Sequence, residues 1–326
     1  MTMQAGARVL VVEDYHDEAQ QFMEWLQKAG HTTERAESTS DALAKAAEFH
    51  PDVVLLDLQI PSVPGGADEN IEQGFLTLEA LLSDKPFRPI VVITAHSDDR
   101  ELMRRVLQRT RGGQFVFKDT PNRKAEMLTA VAVALASPAY KASRVVEEFR
   151  ALVDKNEEEH VYQRWMHEHW QVLLGPEYRE CHAPFTISSG SEIDILAIRH
   201  DDFADLWELK RPGAPVFSHY GQWMHHSKEC AQALGQLMEY YDLAENELTE
   251  GRRSYAARRG IDVRLHRPRG FVVIGRYRSD QERERLRLEN SFFAGISILT
   301  YDDVIERAQE LLHFLSLHQN GTRPGG

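Results

Sequence analysis

The sequence is poor in cysteine and has no long apolar run. Cys181 and Cys230 are its two cysteines, too few for a disulfide framework or a cysteine-based zinc site. Apolar runs such as residues 53–56 and 130–136 fall far short of the roughly 20 residues that a membrane span needs. The N-terminus lacks a basic stretch leading into an apolar signal region. We therefore expect a cytoplasmic protein with no membrane span.

Length and composition are those of an ordinary globular chain. With 326 residues, of which 42% are hydrophobic and 27% charged, the chain is long enough for two domains. This composition excludes a disordered or collagen-like protein, because enough apolar surface is present to offset the entropy lost on folding.

The net charge of −13 conceals one basic segment, residues 252–287, with twelve arginines and four acids. Two interpretations stay open: a solvated surface in which the charges pair with one another, or a rim that binds phosphates. The arginines are Arg252, Arg253, Arg258, Arg259, Arg264, Arg267, Arg269, Arg276, Arg278, Arg283, Arg285 and Arg287.

The first 138 residues alternate short apolar β-branched runs with amphipathic helical stretches. This pattern predicts a parallel sheet covered on both faces, in which chemistry collects at the carboxyl ends of the strands. Three carboxylates fall at those ends, and hard oxygen ligands of this kind suit Mg²⁺. A hydroxyl and a lysine there could hold the oxygens of a phosphoryl group on Asp57. The five positions are Glu13, Asp14, Asp57, Thr94 and Lys118.

These motifs, VVED, LLDLQIP, VVITAHS and QFVFKD, resemble a response-regulator receiver domain. The resemblance implies a doubly wound, flavodoxin-like domain with a five-stranded sheet. It also implies that Asp57 is the phosphoacceptor, that Thr94, Lys118 and Phe115 form the switch, and that a histidine kinase or small phosphodonor is the partner. Two departures leave a degenerate docking module as the alternative: the segment 62–73 is longer than usual, and Asp119 follows Lys118 where the family has proline.

A short connecting helix is predicted over residues 139–155, with apolar residues at helical spacing. Such an apolar stripe must pack against another apolar surface. It packs either on one of the two domains or against the same helix of another subunit.

The second half contains two short β-like segments, SEIDILAI and ADLWELKR, which predict a hairpin. Strand alternation places Asp194 so that it can meet Glu208 and Lys210. Two carboxylates can hold a metal that polarises a phosphodiester, and a lysine can position water or stabilise developing negative charge.

This set resembles the PD-(D/E)xK nuclease core, and Gln236 with Tyr240 reproduces the Gln-x-x-x-Tyr spacing found beside many such sites. Residues four apart share a helical face, so both side chains could reach a DNA backbone. The interpretation in which the helix is simply core, with Gln236 exposed, stays open.

Together with RPRGFVVIGR and SILTYDDVIERA, the second half resembles the Shedu family of anti-phage nucleases. The family implies a further acid on the first helix. Glu159 matches best and Glu158 is one step away, but Glu159 also fits a capping box that begins at Asn156. Tyr301, Asp302 and Asp303 are expected to cap the last helix.

These observations predict three segments: a receiver domain over 1–138, a linker helix over 139–155 and a restriction-endonuclease-like α/β domain over 156–326. The predicted function is a regulated Mg²⁺-dependent DNA endonuclease in anti-phage defence. The alternative is a phosphorylation-controlled module that binds nucleic acid or protein without cleavage. Metal would be held by Asp194 and Glu208, and an even-numbered homo-oligomer is expected.

Overall fold

The computed structural model describes residues 6–95, 100–110, 113–188, 191–221, 223–249 and 264–318. The chain divides into two compact units. The first unit runs to Ser143 and also takes in residues from His313 onward, and the second is Arg144–Leu312. None of the described helices is long and apolar enough to cross a membrane.

The first unit contains a five-stranded parallel sheet in the order β2-β1-β3-β4-β5, which confirms the predicted doubly wound fold. Its central strands are entirely buried because helices cover both faces. Its elements are β1 (Arg8–Val12), α1 (His16–Lys28), β2 (Thr32–Ala36), α2 (Thr39–Phe49), β3 (Val53–Asp57), α3 (Ile71–Asp84), β4 (Ile90–Thr94), α4 (Arg100–Thr110), β5 (Gln114–Phe117) and α5 (Arg123–Ala136).

Side chains alternate between two cores in this sheet. Leu10 and Leu56 face the core that also takes in residues of α2, α3 and α4. Val11 and Leu55 face the core formed with α1 and α5. Because all five strands are parallel, their carboxyl ends lie at one edge of the sheet.

Helix α6 (Pro138–Lys155) carries the predicted apolar stripe. Phe149 is fully buried, and its ring lies 6.0 Å from that of Tyr301. Both residues belong to the second unit, so the stripe is covered within the chain itself.

The second unit contains a mixed five-stranded sheet in the order β14-β13-β10-β9-β6. The predicted hairpin is confirmed: β9 and β10 pair antiparallel, while β10 and β13 pair in parallel. The elements are α7 (Glu159–Glu168), α8 (Trp170–Leu173), β6 (Tyr178–His182), β7 (Phe185–Ser188), β8 (Ser191–Ile193), β9 (Ile195–Arg199), β10 (Phe203–Leu209), β11 (Phe217–Tyr220), β12 (Trp223–His226), α9 (Lys228–Thr249), β13 (Arg264–Val273), α10 (Asp280–Phe292), β14 (Ile296–Leu299) and α11 (Tyr301–His318).

Helices α9 and α10 cover one face of this sheet. Leu206 and Val272 from the strands form one core with Leu237 of α9 and Leu286 of α10. On β10 the alternation puts Glu208 on the same side as Leu206, facing α9.

A buried charge holds four strands of the sheet together. Asp205 in β10 is fully buried and accepts hydrogen bonds from Tyr178 of β6, at 2.8 Å, and from Arg269 of β13, at 3.0 Å from Nε. Arg199 of β9 lies 3.8 Å from the same carboxylate. A buried carboxylate is tolerated when it is paired in this way.

The two helix-start predictions have different outcomes. The capping box at Asn156 is wrong: α7 begins at Glu159 with Glu158 before it, and the Asn156 side chain accepts a hydrogen bond from the Gly213 N–H at 2.7 Å. At the last helix, Thr300 and Asp303 cap each other's N–H groups at 2.7 and 3.2 Å. Asp302 instead binds Arg276.

Replacing the buried charge should destabilise the second unit. We expect Asp205→Asn to lower the free energy of unfolding by about 3 kcal/mol, because two arginines lose their buried partner. The control is Asp201→Asn, which changes the exposed partner of the same Arg199 and should cost less than about 0.5 kcal/mol. Urea unfolding followed by tryptophan fluorescence measures both, and equal effects would contradict the assignment.

Candidate functional site

The first unit places three carboxylates at the carboxyl edge of its sheet. Glu13 and Asp14 follow β1, and Asp57 ends β3. One oxygen of each lies within 4.8 Å of those of the other two. This arrangement of hard oxygen donors fits a divalent cation.

Lys118, just after β5, joins this pocket. Its Nζ lies 2.8 Å from Glu13, 2.9 Å from Asp57 and 2.7 Å from Glu18. An ammonium group has three N–H donors, so all three are committed to carboxylates. Burial alone would lower the pKa of Lys118, but the charges of Asp57 and Glu13 raise it above its usual value.

Burial also acts on the acids of this pocket. It raises the pKa of Glu13 to about 7, with a further contribution from the charge of Asp57. Burial raises the pKa of Asp57 too, although Lys118 opposes this. Charged carboxylates in this pocket are therefore unfavourable, and a bound cation would stabilise their charged form.

Glu18 and Arg123 are members of this network that the motif analysis did not identify. Glu18 lies in the first turn of α1, four residues after Asp14, and also accepts a hydrogen bond from Arg123 at 3.0 Å. Burial would raise the pKa of Glu18, but the hydrogen bonds from Lys118 and Arg123 lower it. No local pattern marks this residue, because Asp14 lies before α1 and the contact joins Glu18 to a lysine 100 residues away.

The lengthened segment after β3 brings a further carboxyl group to the pocket. A hydrogen bond with Asp14 raises the pKa of Glu69, and the negative charges of Asp14 and Asp57 act in the same direction. Glu69 directly precedes Asn70, whose side chain caps α3. The longer segment therefore adds negative charge beside the phosphoacceptor position.

The predicted switch residues lie on β4 and β5, the two strands on one side of β3. Thr94 ends β4 and is buried, and its carbonyl accepts a hydrogen bond from the Lys118 N–H at 2.8 Å. Phe115 lies in β5 and is partly buried against the core that faces α2, α3 and α4.

The second unit brings together four of its predicted residues. Asp194 lies in the break between β8 and β9, and its Oδ2 accepts a hydrogen bond from the Leu209 N–H at 2.7 Å. Lys210 donates to Glu208 at 2.7 Å, and its Nζ lies 3.6 Å from Glu159. The hairpin register and α7 together position these side chains.

The two candidate acids at the start of α7 are separated by the structure. Glu159 faces Lys210, whereas Glu158 pairs with Arg211 at 3.2 Å. Gln163, one turn further along α7, donates to the main-chain carbonyl of Asp194 at 3.0 Å. Helix α7 is thus fixed to the strand break.

Burial shifts the ionisation of this second acidic set. It raises the pKa of Asp194 to about 6, and the charge of Glu159 adds to this. It raises the pKa of Glu208 to about 7, with the charge of Asp194 as the next cause. Burial alone would lower the pKa of Lys210, but the charge of Glu208 raises it. Two buried carboxylates that disfavour each other's charge fit a divalent cation as ligands.

The two residues of the predicted Gln-Tyr pair have different surroundings. Tyr240 is buried and donates a hydrogen bond to the carbonyl of Glu192 at 2.6 Å. Burial, and the charges of Glu208 and Asp194, raise its pKa well above the usual value. Gln236 is exposed on α9.

Much of the described part of the arginine-rich segment is paired with acids. Arg269 binds Asp205, Arg276 binds Asp302, Arg283 binds Glu306 and Arg285 binds Glu289. All four acids lie outside residues 252–287, and Asp205 is buried. The arginines at 252, 253, 258 and 259 lie outside the described residues.

Comparison with known proteins identifies both units. Residues 9–132 match the family model of the response regulator receiver domain, and residues 156–305 match that of the Shedu protein SduA, C-terminal.

Similar proteins and structures match the first part of the chain. Protein PilH of Pseudomonas aeruginosa is 33% identical over 95 residues, which are 29% of this chain and 71% of PilH. The polar-differentiation response regulator DivK of Brucella ovis is 39% identical over 57 residues, which are 18% of this chain and 46% of DivK. The chain therefore spans about half the length of DivK. The crystal structure of the receiver domain of NtrX from Brucella abortus is 25% identical, covering 40% of this chain and 98% of that one, with a TM-score of 0.34.

The receiver-domain match lies within the first unit, and the SduA match lies within the second. Through its receiver domain the chain belongs to the response-regulator family, and its second unit matches the family model of the Shedu protein SduA, C-terminal.

Proposed function

We propose that the second unit is a Mg²⁺-dependent DNA endonuclease that acts in anti-phage defence. The main observation is the set formed by the buried Glu208 and the partly buried Asp194, Lys210 and Glu159, within a domain that matches the SduA model. The donor chemistry suits a divalent metal, and the lysine supplies a fixed positive charge beside it. This combination serves phosphodiester hydrolysis.

Each side chain has a defined task in this proposal. Asp194 and Glu208 would hold Mg²⁺, which when bound supplies charge to the scissile phosphate and lowers the pKa of a bound water. Lys210 stabilises negative charge that develops on the phosphate. Glu159 is a second carboxylate near the ammonium group of Lys210, beside Glu208, and would help to keep that group directed into the site.

Gln236 and Tyr240 have different roles in this proposal, although the sequence pattern suggested contact with DNA for both. Gln236 is exposed and is available to contact the DNA backbone. Tyr240 is buried and binds the carbonyl of Glu192, two residues before Asp194. We assign Tyr240 to positioning the strand break that carries Asp194.

The first unit would regulate this activity through phosphorylation of Asp57 by a histidine kinase or a small phosphodonor. Glu13, Asp14 and Asp57 would hold Mg²⁺. Lys118 can bind a phosphoryl oxygen only by releasing one of its three carboxylates. Glu18 is the carboxylate best suited to release, because Arg123 already pairs with it.

A second candidate function is nucleic-acid binding without cleavage. It is favoured by one observation on the described residues: Glu159, Asp194 and Glu208 do not meet within the 4.8 Å that brings the three acids of the first unit together. In that case Lys210 would neutralise the acids and no metal would be needed.

Removing the lysine should abolish cleavage. We expect Lys210→Ala to lower the rate of plasmid cleavage in Mg²⁺ by about 100-fold or more, because charge stabilisation in the transition state is lost. Supercoiled and linear DNA are incubated in Mg²⁺ and in EDTA and resolved on a gel. Lys155→Ala, at an exposed lysine of the same unit, is the control.

Circular dichroism should show both lysine variants folded. Cleavage by Lys210→Ala at the parent rate would refute the assignment. Metal-independent DNA binding by the parent, with no cleavage product, would favour the second candidate.

Glu208 should destabilise the metal-free protein at high pH. Its pKa is about 7 in the folded chain and 4.5 ordinarily, so the folded state retains a proton that the unfolded state loses. Stability is therefore lost as the pH rises through 7. In EDTA, we expect Glu208→Gln to have a higher Tm than the parent at pH 8 and no such gain near pH 5.

The control for this effect is Glu310→Gln, which changes an exposed carboxylate on α11 of the same unit. Its Tm should follow the parent at both pH values. Added Mg²⁺ should raise the Tm of the parent more than that of Glu208→Gln. A pH-independent difference between Glu208→Gln and the parent would contradict the prediction.

Freeing Lys118 should speed phosphorylation. We expect Glu18→Gln to react with acetyl phosphate about fivefold faster than the parent, because less interaction energy is lost when Lys118 turns to the phosphoryl group. Phosphate-affinity gels follow the product. Glu24→Gln, further along α1 in an exposed ion pair with Lys28, is the control.

Asp57→Ala should take up no phosphate in the same assay. An unchanged rate in Glu18→Gln would contradict the exchange of partners at Lys118. Labelling of Asp57→Ala at the parent rate would exclude Asp57 as the acceptor.

A further inference from the structure

The hairpin formed by β11 and β12 presents an aromatic pair to solvent. Tyr220 and Trp223 lie directly opposite each other in its antiparallel register, so their side chains share one face of the ribbon. They are 79% and 69% exposed. Large aromatic side chains exposed to this degree, side by side, lose hydrophobic free energy unless a ligand covers them.

The other face of the ribbon is fixed to the unit. Phe217 is buried, and its ring stacks on that of His226 at 5.7 Å. His226 also contacts Glu289 of α10 at 2.7 Å. Met224 packs against the core. The strands that carry the aromatic pair are therefore held against the second unit by their opposite face.

The charge around the pair is unusual for this acidic chain. Residues 212–228 contain no Asp or Glu, and they include three histidines and the exposed Lys228. His225 is exposed on the same face as Trp223. An acid-free ribbon with exposed rings suits a polyanion whose bases can stack, because no carboxylate of the ribbon repels the phosphates.

We propose that this aromatic hairpin binds unpaired nucleotides of the DNA substrate by stacking bases on Tyr220 and Trp223. The proposal rests on the proposed nuclease function and names its substrate class: DNA with an unpaired stretch, as at an end, a gap or a fork. Base faces are open to such stacking only where the strands are separated. Strand β10 carries Glu208, Lys210 follows it directly, and the hairpin begins at Phe217 after a short connection.

The test uses the full chain in EDTA, so that binding is measured without cleavage. The probes are a fluorescently labelled deoxythymidine dodecamer and a blunt duplex of equal length. We expect Trp223→Ala and Tyr220→Ala each to bind the single strand about tenfold more weakly, since stacking a base on one ring contributes binding free energy of that order. Duplex affinity should change less than twofold.

Two further variants separate stacking from loss of structure. Trp223→Phe keeps a ring and should bind the dodecamer within about threefold of the parent, while losing the quenching of tryptophan fluorescence that the dodecamer causes. Tyr15→Ala removes a tyrosine that is 68% exposed in the first unit and should bind as the parent does.

Parent affinity for the dodecamer in both alanine variants would overturn the proposal. Dissociation of an oligomer by Trp223→Ala in sedimentation would also overturn it, because a second copy of the chain would then cover the pair. Dodecamer binding that depends on Trp223, with plasmid left intact in Mg²⁺, would uphold the hairpin and refute the nuclease. If cleavage depends on Lys210 but dodecamer binding is unchanged in both alanine variants, the nuclease is upheld and the hairpin proposal is refuted.

Discussion

Each unit of this protein is organised around buried carboxylates held together by one lysine ammonium group. In the first unit Lys118 contacts Glu13 and Asp57, and in the second Lys210 contacts Glu208. Carboxylates withdrawn from water repel one another and take up protons more readily, which raises the pKa of Glu13 and of Glu208 to about 7. The lysine neutralises part of this negative charge, and a divalent cation would neutralise the rest.

The two sheets bring these groups together in different ways. In the first unit, parallel strands end at one edge, so acids that follow β1 and β3 meet there without further support. In the second unit, Asp194 is brought to Glu208 by a hairpin and a strand break. That arrangement depends on the register of β10, which the buried Asp205 fixes through arginines and a tyrosine from the strands around it. A buried salt bridge of this kind specifies geometry more than it adds stability.

The site could be predicted from the sequence where the chain itself determines the spacing. Motifs at strand ends, such as VVED and QFVFKD, predicted the acidic pocket because strand length and direction follow from short-range patterning. The role of Glu159 could not be settled in this way. A capping box and an inward-facing acid have the same spacing, and only the contact with Lys210 distinguishes them. Tyr240 has the expected helical position but is buried, since the packing of α9 on the sheet decides which face is covered.

By itself, the sequence determined the order of a receiver domain and a Shedu-like domain, the parallel sheet of the first unit and the hairpin of the second. These features depend on periodicity and on residues close together along the chain. The tertiary structure alone decided that Glu18 shares Lys118, that several arginines are paired with acids, and that Tyr220 and Trp223 are exposed together. Charge pairing and burial are set by groups far apart in sequence, and no local pattern encodes which of them will meet.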